Sequence, residues 1–312
     1  SLSAVEQVSV DVSPFSVTKS GFTGGAINFV TKSGTNEFEG SLEYFRRGTS
    51  LTQDQLTFRG DEIVNGLPSA SDNRIVGTLG GPIIEDELFF FVNVDIRRSE
   101  DALPAQTPFL GQELGAGGQN PNQDDANELD QLGEVRDFMR RNTGYDPGFP
   151  GDKATTLDAT KFLARLDYNV TDNHKLTARY YYNDNDNRDR FQSDQEFVNF
   201  SNTSEVFPNT QHNAMLQWNG TFGSNVATQT TATFKNVVDD RGVQGEPFPS
   251  ITVDDGNRAS FRLGSEAFSR PNYLEQSVAT LTNKTDFFVG DHTLTIGTHN
   301  EFYSIDNRFA VF

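Results

Sequence analysis

Phe162-Leu163-Ala164-Arg165-Leu166-Asp167-Tyr168-Asn169-Val170 runs into Thr171-Asp172-Asn173-His174 and then Lys175-Leu176-Thr177-Ala178-Arg179-Tyr180-Tyr181-Tyr182-Asn183. On an extended chain successive side chains point to opposite sides. Phe162, Ala164, Leu166, Tyr168 and Val170 therefore share one face, and Arg165, Asp167 and Asn169 share the other. The second run sets Leu176, Ala178, Tyr180 and Tyr182 against Thr177, Arg179, Tyr181 and Asn183. Two such runs around a short polar joint predict a hairpin with one apolar and one wet face.

The same pattern extends in both directions. Leu88, Phe90, Val92, Val94 and Ile96 alternate with Phe89, Phe91, Asn93, Asp95 and Arg97, and Ala214, Leu216, Trp218 and Phe222 alternate with Gln217, Asn219 and Thr221. Nine strands are predicted, at 37–47, 73–83, 88–98, 157–170, 175–184, 212–222, 226–238, 273–289 and 293–308. The joints at 84–87, 171–174, 223–225 and 290–292 are tight, whereas those at 48–72, 99–156, 185–211 and 239–272 are long. Strict alternation of short turns and long loops is the habit of an outer-membrane barrel. A half-exposed sheet in a soluble protein gives the same side-chain alternation, but has no reason to keep that order of connections. Within 99–156, Leu129, Leu132, Val135, Phe138 and Met139 recur at helical spacing, which predicts an amphipathic helix over 124–141.

Composition points the same way. Hydrophobic residues are 35% of the 312, mean hydropathy is −0.56, and yet there are 27 Phe. No run approaches the roughly 20 apolar residues of a membrane-spanning helix, a length that barrel strands do not need. The formal charge of −19 repels nucleic acid. With no cysteine, disulfides and thiol chemistry are excluded. No nucleophile elbow, phosphate loop or zinc-binding helix occurs, so no catalytic residue and no cofactor is expected. His174, His212, His292 and His299 are scattered, and the two at turns are expected to be solvated. Asp184, Asp186 and Asp189 offer oxygens at spacings that a Ca²⁺ loop can use, but without the glycine and distal Glu of an EF-hand.

Residues 1–47 carry the most specific signal. Val8, Val10 and Val12 alternate and lead to Ser13-Pro14-Phe15. Gly21-Phe22-Thr23-Gly24-Gly25-Ala26-Ile27-Asn28-Phe29-Val30-Thr31-Lys32-Ser33-Gly34-Thr35-Asn36 follows, predicting a short buried strand at 26–30 and a turn at 32–36. This run resembles the end of the plug domain of TonB-dependent outer-membrane receptors. Leu79-Gly80-Gly81-Pro82-Ile83 resembles a stretch of the Oar-like branch. The turn Glu85-Asp86-Glu87 departs from that branch, where a Lys often appears.

The resemblance implies an all-β fold: an antiparallel transmembrane β-barrel, represented by about nine strands of roughly 22, preceded by the end of a plug. Residues 1–36 would be the plug's last part and 37–312 the N-terminal portion of the barrel, in the bacterial outer membrane. An odd, unclosed strand count implies a fragment, and the terminal aromatic Phe312 follows too few strands to close the barrel. Gly21, Gly24, Gly25, Asn28, Thr31, Lys32 and Gly34 would form the plug-end motif, and Arg165, Arg179 and Glu301 would face the lumen. The implied partners are outer-membrane lipid, the TonB energy complex in the full-length protein, and a small-molecule, oligosaccharide or peptide substrate taken up with energy coupling. Two alternatives stand beside this: an Oar-like outer-membrane protein of adhesion or export, and a secreted β-rich carbohydrate-binding module.

Overall fold

The computed structural model describes residues 2–12, 25–48, 51, 57–58, 61–62, 70–101, 123–149, 155–189, 197–253, 260–267 and 272–310. In chain order the strands are β1 (Val5–Asp11), β2 (Ala26–Thr31), β3 (Glu39–Gly48), β4 (Thr57–Phe58), β5 (Asp61–Glu62), β6 (Ala70–Ile84), β7 (Leu88–Asp101), β8 (Thr155–Thr171) and β9 (His174–Asp189). There follow β10 (Phe197–Asn199), β11 (Glu205–Phe222), β12 (Val226–Asp240), β13 (Gly242–Val243), β14 (Ile251–Val253), β15 (Ser260–Leu263), β16 (Tyr273–Val289) and β17 (His292–Arg308), with helix α1 (Gln123–Thr143) between β7 and β8.

All nine predicted strands form one antiparallel meander, in the order β17-β16-β12-β11-β9-β8-β7-β6-β3, with β13 added beside β11. Neighbours in sequence are neighbours in the sheet, and the sheet is open rather than closed. The tight turns collect at one end and the long connections at the other. The turns are also tied to one another: Asn169 N donates to Glu87 O at 2.8 Å, Thr221 N to Asn173 O at 2.9 Å, and Phe288 N to Asn225 O at 2.8 Å.

Registers keep the predicted faces across the whole sheet. Val92 lies opposite Ala164, Ala164 opposite Tyr180, Tyr180 opposite Ala214 and Ala214 opposite Phe234. Leu42, Leu79, Leu166, Leu216, Phe234 and Leu281 stand exposed on the apolar face. The opposite face buries polar groups instead: Asn93, Asp95, Asp167, Thr177 and Asn183 are each nearly inaccessible. A water-soluble sheet has the reverse arrangement.

Several strands run past their predicted ends. β9 continues to Asp189 and β11 starts at Glu205, so the predicted loop 185–211 shrinks to 190–204. Polar runs such as Asn185-Asp186-Asn187-Arg188 carry no apolar alternation to betray a strand, but backbone pairing needs none. Asp184 and Asp186 therefore lie on an extended ladder. Asp184 accepts from Thr210 Oγ1 at 3.2 Å and Asp186 from Arg188 at 3.1 Å. The side chain of Asp189 lies outside the described residues. Among the described residues no group of three His or acidic side chains is placed to hold a metal ion.

The loops hold a second core that periodicity does not foresee. β10 pairs in parallel with β15, and β14 pairs antiparallel with β15, joining segments from the connections after β9 and β12. Met139 of α1, Tyr145, Phe200 and Leu263 form the centre, and the Tyr145 and Phe248 rings stack at 4.1 Å. Three long connections thus share one hydrophobic core. Phe138, predicted on the apolar stripe, is exposed, and the packed face is Leu132, Val135 and Met139. Asp146 clamps the far side: Arg136 donates to it twice, at 2.8 and 2.9 Å, and Gly148 N donates at 2.9 Å. These bonds, led by Arg136, depress the Asp146 carboxyl to about 2.

This core makes two expectations. Phe200→Ala should cost the loop body about 3–5 kcal/mol and open it to protease, while the sheet keeps its melting temperature. Asp146 is depressed on folding, so its contribution is complete above its ordinary value near 3.8 and fades as pH falls through about 2. Pepsin cleavage of the loop should therefore separate wild type from Asp146→Asn at pH 5, and the difference should shrink toward pH 2.

Candidate functional site

The polar face of the sheet carries the N-terminal strand pair. β1 and β2 pair antiparallel, and Lys32 N donates to Ala4 O at 2.9 Å to close their open end. Ala4 packs into a small core with Phe91 and Leu163, two polar-face residues of the sheet, with Tyr181 alongside. The predicted burial of β2 does not hold within this chain. Ile27 is 62% and Phe29 56% exposed, because two strands cannot enclose their own side chains.

The firmest polar tie is Arg165. Its guanidinium donates to Thr31 through Nη1, both to the backbone oxygen and to Oγ1. Asp167 holds the same guanidinium from behind, accepting from Nε at 2.7 Å and Nη2 at 3.1 Å. Asp167 is 2% exposed and also accepts from Thr177 Oγ1 at 2.8 Å and faces Lys175 at 3.3 Å. Carboxylate and guanidinium fit each other as planar forks, so Arg165 is presented to Thr31 in one orientation. Two further forks, Arg74–Asp95 and Arg97–Asp72, line the same face.

Gly34 and the Leu79-Gly80-Gly81-Pro82 run, 45 positions apart, meet below this tie. A β-carbon on Gly34 would collide with the Phe90 carbonyl and lie 2.7 Å from Gly81 O. One on Gly81 would overlap the Phe38 ring. Bare backbone on both sides lets the linker nest against β6 and β7. Asn36 then grips the first tight turn: Asn36 Nδ2 donates to Asp86 Oδ1 at 2.7 Å, and Asp86 N donates to Asn36 Oδ1 at 2.8 Å. Asp86 needs that support, since its φ is +63°.

The sequence-derived residues thus divide. Thr31, Lys32 and Gly34 all contact the sheet or close the strand pair, Asn28 lines the cavity beside them, and Gly25 sits beside Asp11. Gly21 and Gly24 lie outside the described residues. Arg165 and Arg179 face each other across the β8–β9 ladder on the polar face. Glu301, on β17, is four strands from Arg179 and five from Arg165, bonded to Tyr303 and 3.1 Å from His299. His174, expected to be solvated, instead lies between Trp218 and Phe222 on the apolar face, at ring distances of 5.8 and 5.2 Å. Each of the two glycine motifs is visible in the sequence, but nothing local to either reveals that Gly34 meets Gly81. A cavity of about 770 Å³ separates the strand pair from the sheet, lined by Ile27, Asn28, Phe29, Asn93, Arg179 and Tyr181 among others.

An open meander with an apolar outer face, a charged inner face and turns segregated from loops is part of an outer-membrane β-barrel. The chain belongs to the outer membrane beta barrel domain family, whose model matches residues 30–311. Over 73 residues, 22% of the chain, it is 45% identical to the TonB-dependent transporter Oar of Myxococcus xanthus, and the match spans 7% of that protein. The fold is similar to the outer membrane transporter YddB from Escherichia coli, with a TM-score of 0.56 and 12% identity over 98% of this chain and 36% of that one. It also resembles the siderophore receptor PirA from Acinetobacter baumannii, with a TM-score of 0.51 and 13% identity over 88% and 31%. The chain spans about a third or less of the length of these relatives. The fold resembles that of these outer-membrane receptors and transporters, the chain is an outer-membrane β-barrel domain, and the secreted-module alternative is set aside.

The nested glycines define a test. Gly34→Ala should lower the melting temperature of the outer-membrane protein by the equivalent of about 1–3 kcal/mol and raise amide exchange in residues 26–31. Ser33→Ala next door should do neither.

Proposed function

We propose that the full-length protein is a TonB-dependent outer-membrane receptor that takes up a small molecule, oligosaccharide or peptide with energy from the TonB complex. Residues 1–36 are then the end of the plug, and 37–312 the start of the barrel. The observation that carries this reading is the seating of β1–β2 on the polar face through Arg165–Thr31 and the Gly34–Gly81 nest. A simple porin has no need to fasten an N-terminal strand pair inside its wall. Energy-coupled receptors do, because their lumen is plugged at rest. In the membrane the short turns lie on the periplasmic side and the loop body outside.

The loop body favours one further reading. It is a folded surface with its own core and exposed Phe138 and Phe149, which suits adhesion as well as capture of cargo.

Solute depletion from growth medium distinguishes these readings even though the cargo is unidentified. Wild-type cells, a deletion of the parent gene and a strain without TonB should be compared. Uptake predicts a set of solutes left unconsumed by both mutant strains alike. Equal depletion by all three, with loss of surface attachment only in the deletion, would instead establish adhesion.

A further inference from the structure

Arg179 is poorly served by its surroundings. The β8–β9 register sets it directly opposite Arg165, both on the polar face. Like charges at that spacing repel and destabilise a ladder. Arg165 is compensated by Asp167, but that carboxylate is committed to Arg165, Thr177 and Lys175. Across the other ladder Arg179 faces Met215. Among the described residues it has no acidic partner, although it is half-buried. In a chain with 44 acidic residues and only 25 Lys and Arg, this is not for want of carboxylates. A guanidinium withdrawn from water without a counter-ion is costly.

The group is also well placed. Arg179 borders the cavity of about 770 Å³ between β1–β2 and the wall, with Tyr181, Asn93 and Asn213 beside it and Asn28 and Phe29 opposite. Its planar fork matches a carboxylate through two parallel hydrogen bonds. Arg74, the other guanidinium lining the cavity, is paired with Asp95, and Arg165 nearby is paired with Asp167, so among the described lining residues Arg179 is the guanidinium available to a carboxylate group. The exposed Phe29 ring offers an apolar surface for the rest of a ligand.

We propose that Arg179 is the anion-binding residue of a lumenal site that receives a carboxylate in the cavity between the N-terminal strand pair and the wall. The carboxylate comes from a solute or from another part of the full-length receptor. The site deepens the transport reading and rests on it for the ligand's route of entry, but binding itself needs no TonB.

Thermal melting of the detergent-purified full-length receptor tests this. Sodium succinate should be compared with sodium chloride at equal ionic strength, for wild type, Arg179→Gln and Arg179→Lys. Succinate should raise the wild-type melting temperature by about 2 °C or more, raise that of Arg179→Lys less, and leave Arg179→Gln unmoved. If succinate does nothing, but Arg179→Gln melts below both wild type and Arg179→Lys, the receptor itself supplies the carboxylate. If succinate does nothing and Arg179→Gln melts at or above wild type, its removal has only relieved repulsion from Arg165 and the proposal fails. An equal succinate shift in wild type and Arg179→Gln also overturns it. None of these outcomes bears on uptake in cells without TonB, so the two readings stand or fall separately.

Discussion

Backbone hydrogen bonding without water is the constraint from which the rest of this structure follows. Inside a bilayer every amide and carbonyl must find a partner in the protein, and a strand finds its partners only in neighbouring strands. The chain answers with an uninterrupted antiparallel ladder from β3 to β17. Once the ladder is fixed, the period of two decides everything about the side chains. Leu166, Tyr180, Leu216 and Phe234 go to the outer face, while Asn93, Arg165, Asp167 and Thr177 go inward. Low mean hydropathy and abundant Phe are two results of the same geometry, since only alternate residues need be apolar.

The inward face then has its own problem, which is to keep buried charges satisfied. For its carboxylates it does so locally, with forks between adjacent strands such as Arg74–Asp95 and Arg97–Asp72 and within a strand at Arg165–Asp167. Breaking one partner of such a pair strands the other, which makes the wall stiff as well as polar. Arg165 turns that stiffness outward, because the bonds that orient it also aim it at Thr31. The N-terminal strand pair is thereby tied to the wall by polar bonds led by Arg165, by a small apolar cluster and by a backbone nest.

Much of this is legible in the sequence. The nine strands, their faces and the placing of turns and loops follow from period-two alternation, which depends on neighbours a few residues apart. Strand ends at Asp189 and Glu205 are not legible, because the polar residues there carry no apolar alternation. The loop core is hidden for a different reason. Phe200, Leu263 and Met139 come from three separate connections, and no local period links them. The helix follows from its spacing, but its exposed Phe138 shows that periodicity gives a stripe and not what packs on it. Alternation puts Arg165 and Arg179 on the polar face, whereas the bond from Arg165 to Thr31 spans 134 positions and leaves no mark in sequence. The glycines at 34 and 81 are visible as motifs, and only the fold shows that each is small because the other chain segment lies against it.

The central claim is that alternate residues of each strand face lipid and lumen. Spin labels placed singly at residues 213–219 of β11, in the full-length protein in bilayers, read this directly. Collision with oxygen should be high at 214, 216 and 218, and collision with a water-soluble nickel chelate high at 213, 215, 217 and 219. Loss of that period of two, or equal access of the nickel reagent to both sets, would contradict a membrane-spanning barrel wall.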